Sequence, residues 1–357
     1  MFLPTSIYES LLGKFKESSV RTYDTQIRRI FTNAFDSAPF DFKCLEDFDK
    51  VHKYLDSLDK VSIKKSLTQA VINVFKVVDI NNTALPKYQA LFKDYAFTHT
   101  DTYLYKMPTQ NEMDNVVTFA DVRDKFTHYK SLVAKDMKSA KTSTTSNTSK
   151  SKKNNANAID KHLYLRYVVL GLYTYIPPLR GQDYYNTRII TNNDIINLTK
   201  EIDNDNDNDK DNDKDKIIYA ALLKKLKSNF LHIDNMNLVI GDYKTQNVYG
   251  NRIIDIPKEL HEPLLTWSKI NDSGYLIPNI ATGNKMSQQG FTDLLWRIFS
   301  PKKVSTSMLR KIYISEILAE KEKTMAKEDF INFRKKLAHS MAHSLSTQEF
   351  VYSRFKN

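Results

Sequence analysis

Cys44 is the only cysteine among 357 residues, and that scarcity excludes an internal disulfide framework and any multi-cysteine metal site. Cys44 itself is expected to be a small packing residue, in keeping with a reducing compartment. Long hydrophobic runs are missing too. The most apolar stretch, residues 163–177, is too short to cross a bilayer and contains Arg166. The opening MFLPTSIYESLLGKF has neither the basic start nor the long apolar core of a secretory leader. These absences lead to the expectation of a soluble intracellular protein with no membrane partner.

Acidic residues are outnumbered. Against 53 Lys and Arg stand 42 Asp and Glu, a net charge of +11. Residues 201–216 (EIDNDNDNDKDNDKDK) hold eight acids and three lysines, which leaves +16 for the rest of the chain. Such an excess suits a polyanionic partner, because clustered cations gain affinity by releasing condensed counterions. With 41% hydrophobic and 11% aromatic residues the composition is that of a folded protein, and the length exceeds one typical core. Two domains are therefore expected.

The first hundred residues read as helices. Val20, Tyr23, Ile27, Ile30, Phe31 and Ala34 recur at helical spacing behind Ser18 or Ser19 as a cap. Over 62–78, Ile63, Leu67, Ala70, Val71, Val74 and Phe75 form a stripe, with Lys60, Lys64, Lys65 and Lys76 largely off it. Such lysines are usually a solvated face. Two low-complexity tracts, 135–157 and the acidic run at 201–216, are expected to be mobile. The acidic run is no calcium loop, since counting from Asp203 puts Asn208 at the turn glycine and Lys214 at the bidentate Glu. Helices are expected over 162–176, stopped by Pro177-Pro178, and over 217–226, 287–299, 307–323 and 327–338, with a last one carrying 347–355. Two strands, 237–240 and 252–256, flank a turn containing Gly250-Asn251. The fold class is thus mainly α with a small antiparallel β-sheet.

Four separated segments carry the chemistry: Pro178-Leu179-Arg180-Gly181-Gln182-Asp183, Asp242-Tyr243-Lys244-Thr245, Ser307-Met308-Leu309-Arg310, and Met341-Ala342-His343-Ser344 with Tyr352 nine residues after the histidine. Their order resembles the tyrosine recombinase (integrase) family, with an Arg after a helix, a Lys in a β-hairpin, a His-x-x-Arg box, then Leu-Gly-His and a nucleophilic Tyr. The resemblance runs from about Leu163 to the C-terminus and, less specifically, over the N-terminal helices, and looks most like integrases of large DNA viruses, virophages and related mobile elements. It implies a two-domain DNA breaking-rejoining fold, with a helical core-binding clamp over 1–106 and a catalytic domain over 107–357. The partner it implies is double-stranded DNA bearing a specific recombination site, on which the protein assembles as a homotetramer. A viral origin would place it in the host nucleus or a cytoplasmic viral factory.

Each residue has a chemical reason to be present. Arg180 and Arg310 offer paired donors to the non-bridging oxygens of the scissile phosphate. Lys244 can protonate the leaving 5′-oxygen, His343 can donate to phosphate or assist proton transfer, and Tyr352 attacks to form a 3′-phosphotyrosyl link that stores the bond energy. Neither cofactor, metal nor ATP is needed. Asp183 and Ser307 are auxiliary candidates. Any one of these residues is more often structural: Tyr352 could pack a helix, Arg310 could sit on the surface and Arg180 could cap a helix end. Lys244 has neighbouring rivals in Lys224, Lys225, Lys227 and Lys258.

The pattern departs from the family at Ser307, which replaces the first histidine of the His-x-x-Arg box and cannot act as a base near neutral pH. His343 then becomes the preferred base for Tyr352, with direct stabilisation of the phenolate by the arginines as the alternative. Met341-Ala342-His343 in place of Leu-Gly-His is a milder departure. His339 and His343 stand at i and i+4, but Ser340 occupies the place of the catalytic glutamate in His-Glu-x-x-His, so His339 reads as a turn or packing residue. Rival functions are a type IB-like DNA topoisomerase, which shares the same residue set, and a non-catalytic DNA-binding relative.

Overall fold

Amphipathic stripes account for the first of two compact units, Met1–Met107 and Pro108–Asn357. The computed structural model describes residues 1–104, 109–144, 159–200 and 211–348. In the first unit α1 (Thr5–Leu12), α2 (Glu17–Ala34), α3 (Phe42–Glu46), α4 (Phe48–Asp56), α5 (Val61–Val78) and α6 (Leu85–Leu104) follow one another, with no strand among the described residues. Val20, Ile27, Ile30 and Phe31 of α2 meet Leu67, Ala70, Val71, Val74 and Phe75 of α5 in one core. Each of these side chains other than that of Ala70 contributes about 1.5–3 kcal/mol on burial. Cys44 packs partly buried against the same cluster.

Two expectations need adjustment in this unit. The α2 helix begins at Glu17, ahead of Ser18 and Ser19, with Lys16 at its N-cap and no side-chain cap. Glu17 instead offers its charge to the positive end of the helix dipole. The lysines of α5 divide: Lys60 and Lys76 are exposed, whereas Lys64 and Lys65 are half-buried, their ammonium groups 5.8 and 5.9 Å from the rings of Tyr95 and Phe92.

The second unit is arranged around a buried helix. It opens with α7 (Gln110–Asn115) and α8 (Phe119–Thr144), and α8 packs along α9 (Lys161–Tyr175). The α9 N-terminus is capped by Asp160, whose carboxylate accepts from the backbone N–H groups of His162 and Leu163. Its residues from Tyr164 to Tyr173 are buried apart from Arg166, since a helix apolar on all faces must sit inside. Pro177-Pro178 then ends it. The expectation of a mobile tract from 135 is corrected for its first part, because α8 stays helical to Thr144. Lys135, Lys138 and Ser139 lie on the exposed face of that helix rather than breaking it.

The chain continues through α10 (Gly181–Tyr185), β1 (Thr187–Ile190), α11 (Asn192–Thr199), α12 (Asp211–Leu226), β2 (Asn229–His232), β3 (Asn237–Ile240), α13 (Gln246–Tyr249) and β4 (Arg252–Asp255). The sheet order is β1-β2-β3-β4. It is mixed, which corrects the expected antiparallel sheet: β1 runs parallel to β2, and only β2–β3 and β3–β4 are antiparallel. A parallel pair needs a long crossover, and α11 and α12 lie on it. Side chains alternate between two buried faces. Leu231, Leu238 and Ile240 join the main core, while Phe230 and Val239 join Ile190, Tyr219, Leu222 and Leu223. On β2, His232 joins the two crossover helices, its Nδ1 2.7 Å from the Tyr219 hydroxyl of α12 and its Nε2 2.8 Å from Asn192 Oδ1 of α11.

The remaining helices are α14 (His261–Ile270), α15 (Gln288–Phe299), α16 (Thr306–Thr324), α17 (Lys327–Ser340) and α18 (Leu345–Thr347). The expected last helix over 347–355 lies outside the described residues beyond Gln348. Among the described residues no helix is long and apolar enough to cross a membrane.

Candidate active site

Arg180 owes its position to the residues around it. After the proline pair the backbone is extended, and Arg180 sits at the N-cap of α10, where the Asp183 carboxylate accepts its backbone N–H at 3.0 Å. Gly181 is required: a Cβ there would lie 2.9 Å from the Phe291 ring of α15 and 3.2 Å from Thr306 Oγ1 of α16. That close approach seats the start of α10 between those helices. Asp183 is buried, and its burial holds the carboxyl above the usual carboxylate range despite the pull of Arg180 and Arg310.

Arg310 stands one turn into α16 and is only 2% exposed. Its Nη1 donates to the Pro178 carbonyl at 2.6 Å, and its Nη2 donates to the Met341 carbonyl at 2.9 Å and to His343 Nδ1 at 3.2 Å. Arg180 Nη2 donates to the next carbonyl, that of Ala342, at 3.1 Å. The Thr245 hydroxyl donates to the same carbonyl at 3.1 Å. Arg252, on β4, donates through Nη2 to the Ser340 carbonyl. Three guanidinium groups thus take the carbonyls of three consecutive residues at the C-terminal end of α17, where carbonyls lack helical partners and the dipole is negative. Ala342 turns the chain in the left-handed region, φ 51°, at the position where the family pattern has glycine.

His343 is 4% exposed and its protonation is legible from its contacts. A guanidinium only donates, so Nδ1 accepts and Nε2 carries the proton. Burial first, then the Arg310 charge, push its pKa down to about 4, with the Met341 backbone and Gln348 pulling the other way. A neutral imidazole with Nδ1 so engaged is a donor through Nε2 and a weak base. This arrangement speaks against the expected use of His343 to deprotonate tyrosine. It also has a stability consequence. The folded pKa lies below the unfolded value near 6.5, so the neutral ring favours folding fully above that value, and the advantage is lost as pH falls from ~6.5 to ~4, up to ~3 kcal/mol. Asp183, shifted upward, acts with the opposite sign. Urea unfolding of wild type and His343→Gln across pH 7 to 4 should therefore converge in stability as the pH drops, by ~3 kcal/mol. A constant difference between the two would refute the buried neutral histidine.

The other candidates occupy looser positions. Lys244 is exposed in the connection between β3 and α13, next to Thr245. That connection is tied to α10 by the fully buried Asn229, whose Nδ2 donates to the Asp183 and Asp242 carbonyls (3.2 and 3.3 Å) and whose Oδ1 accepts from the N–H groups of Gly241 and Asp242 (2.9 and 2.8 Å). Ser307 is exposed on the first turn of α16, three residues before Arg310. His339 packs edge-on against Tyr249, ring centroids 5.6 Å apart. Among the rival lysines, Lys225 donates to the Leu198 carbonyl at 2.9 Å. Tyr352 lies outside the described residues.

Asn229 and Arg252 were not anticipated from the sequence, and Thr245 stood in one of the four segments without a role. Arg252 left a signal: in Arg252-Ile253-Ile254-Asp255 it shares strand parity with the inward Ile254, so a cation stands on the inner face.

No protein-family model matches the chain, and no curated protein does. Among solved structures, a crystal structure of XerA recombinase aligns with 98% of this chain and 92% of its own, at 11% identity and a TM-score of 0.35. A likeness that distant carries no argument about fold or activity, and the functional reading rests on the site.

Proposed function

We propose that this protein is a tyrosine recombinase, a two-domain enzyme that cleaves and rejoins duplex DNA at a specific site through a 3′-phosphotyrosyl intermediate. What carries the reading is that Arg180, Arg310 and His343, far apart in sequence, meet at one turn, nine residues ahead of Tyr352. Two guanidinium groups around a single point are suited to the non-bridging oxygens of one phosphate. In the reaction the Tyr352 oxygen attacks phosphorus, the bond to the 5′-oxygen breaks, and Lys244 gives that oxygen its proton. The phenol proton passes to solvent, the phenolate being favoured by the surrounding cations. His343 donates from Nε2 to a phosphate oxygen. Attack by a 5′-hydroxyl of a second strand reverses the step and restores tyrosine. The 1–106 segment serves as the DNA clamp, and strand exchange takes place in a homotetramer on DNA. The finer form of the reading, integration of a viral or mobile-element genome, rests on the sequence resemblance.

The test is covalent capture. A random-sequence duplex pool carrying one nick per molecule, arranged so that a short leaving strand diffuses away, is incubated with the wild-type protein and then denatured in detergent. The expected result is a detergent-resistant protein–DNA adduct enriched in a defined sequence, with product exchange between two such sites. Adducts on all sequences with relaxation of supercoiled plasmid would assign a topoisomerase, and no adduct at all would leave a DNA-binding protein without catalysis.

A further inference from the structure

We propose that Arg252 is a third catalytic arginine, donating with Arg180 and Arg310 to the non-bridging oxygens of the scissile phosphate; this rests on the reading above. The family pattern described earlier supplies two arginines, and Arg252 belongs to neither of its boxes. Its placement comes from the sheet. Arg252 pairs in register with Ile240 at the end of β3 and β4 nearest the Asp242–Thr245 connection, and strand alternation points it inward.

Three observations converge on the assignment. First, the guanidinium groups of Arg252, Arg310 and Arg180 bond the carbonyls of Ser340, Met341 and Ala342 in succession, so the three cations are ranged along one turn and address the same space. Second, Arg252 has five N–H donors, and the Ser340 carbonyl takes one. The fork retains the geometry to grip an oxyanion. Third, the electrostatics are those of a site arranged for an anion. Arg252 is half-buried, the charges of Arg180 and Arg310 act on it, and burial pushes its pKa below the usual guanidinium value. No carboxylate of the described residues lies within ion-pairing distance of Arg252. The two acidic groups that act on it, Tyr243 and Asp183, are both pushed by burial toward their neutral forms. Concentrating like charges away from water is unfavourable for folding, and a phosphate whose charge grows in the transition state offsets it.

The step in which Arg252 acts is the one already described. As the Tyr352 oxygen bonds to phosphorus and the bond to the 5′-oxygen breaks, negative charge on the two non-bridging oxygens rises, and Arg252 donates to one of them.

A duplex recovered by covalent capture on wild-type protein supplies the probe, prepared once with the natural phosphodiester and once with a methylphosphonate at the scissile position. The methylphosphonate is neutral and has one non-bridging oxygen replaced by a methyl group. Wild type, Arg252→Ala and Arg252→Lys are compared for the rate of adduct formation on both, with melting temperatures to confirm folding. Arg252→Ala is expected to slow the phosphodiester reaction about 100-fold and the methylphosphonate reaction less than about 10-fold, because one of the two charge-bearing oxygens is gone and less negative charge has to be stabilised. Arg252→Lys, which keeps the charge and loses the fork, should fall between. Should the alanine variant fail to fold, the lysine variant's rate ratio on the two substrates decides. An equal loss on both substrates would make Arg252 a structural support of the 340–342 turn and overturn the assignment, as would an unchanged rate. If the wild type captures no duplex, the recombinase reading itself falls, an outcome distinct from either.

Discussion

The Tyr352→Phe protein is expected to bind duplex DNA as tightly as wild type and to form no covalent adduct, a loss of more than about 10⁴-fold in cleavage rate. Only the phenolic oxygen is removed, and the ring is retained. Without that oxygen the arginines still hold a phosphate, but no atom of the site attacks it. The chain has 20 tyrosines, so substitution by a neighbour is a fair challenge. Among the described residues Tyr173 and Tyr184 lie within reach of the Arg310 charge but are fully buried, with burial raising each phenol's pKa, and two more tyrosines lie near the cluster. Tyr243 is buried, with its hydroxyl donating to the Gly250 carbonyl at 2.7 Å and its pKa raised by burial, which makes it a poor nucleophile. Tyr249 is half-buried against His339. An adduct that survives in Tyr352→Phe, mapped by mass spectrometry to either residue, would refute the assignment of the nucleophile while leaving the arginine site intact.

Arg310→Ala should be the most damaging change that leaves the nucleophile untouched, and it should show in stability as well as in catalysis. Arg310 satisfies the Pro178 and Met341 carbonyls and positions His343, all in a buried setting. Truncation orphans those acceptors together, at about 3 kcal/mol. For a domain the size of the second unit that lowers the melting temperature by roughly 6–12 °C. Cleavage should fall by about 10³-fold, since an oxyanion donor and the alignment of a second are lost at once. Arg310→Lys should keep some of the charge effect and little of the alignment, because one ammonium cannot serve acceptors from two chain segments in fixed directions. A melting temperature of Arg310→Ala within roughly 2 °C of wild type, read by calorimetry, would mean that the bonds to 178 and 341 contribute little and that the site is looser than described.

How much of this could be read in advance depended on whether a feature leaves a local mark. The α5, α9, α15 and α17 helices announce themselves through apolar spacing or through the proline pair that ends α9, and β3 and β4 as short β-branched, apolar runs on either side of Gly250-Asn251. The strands β1 and β2 leave no such mark. Each has four residues, and all four of β2 are buried, so no polar face alternates with an apolar one. Missing them turned a mixed sheet into an antiparallel one. Composition misled at residues 135–144, where Ser, Thr and Lys look like linker and extend a helix. In the site, the order of Arg180, Arg310 and His343 is legible, but the partners that orient them are backbone carbonyls, which any residue supplies. The sequence points to His343 as the base because Ser307 stands where the family pattern has its first histidine. The burial of His343 beside Arg310, a contact 33 residues away in sequence, is what makes it a donor.

The crossover from β1 to β2 has a further consequence. The last residues of the acidic run, 211–216, are helical in α12 rather than mobile, and the two helices are fastened to the sheet without help from the residues between them: Ile195 and Leu198 of α11 pack with Leu222 and Leu226 of α12, and His232 holds one residue from each. The stretch joining Thr199 to Asp211 therefore spans two points whose separation is set elsewhere. Lengthening such a span costs only ~0.6 kcal/mol per doubling. The crossover is a graft point, where sequence can be inserted, shortened or exchanged while the strand that follows Arg180 keeps its register with the strand that leads to Lys244.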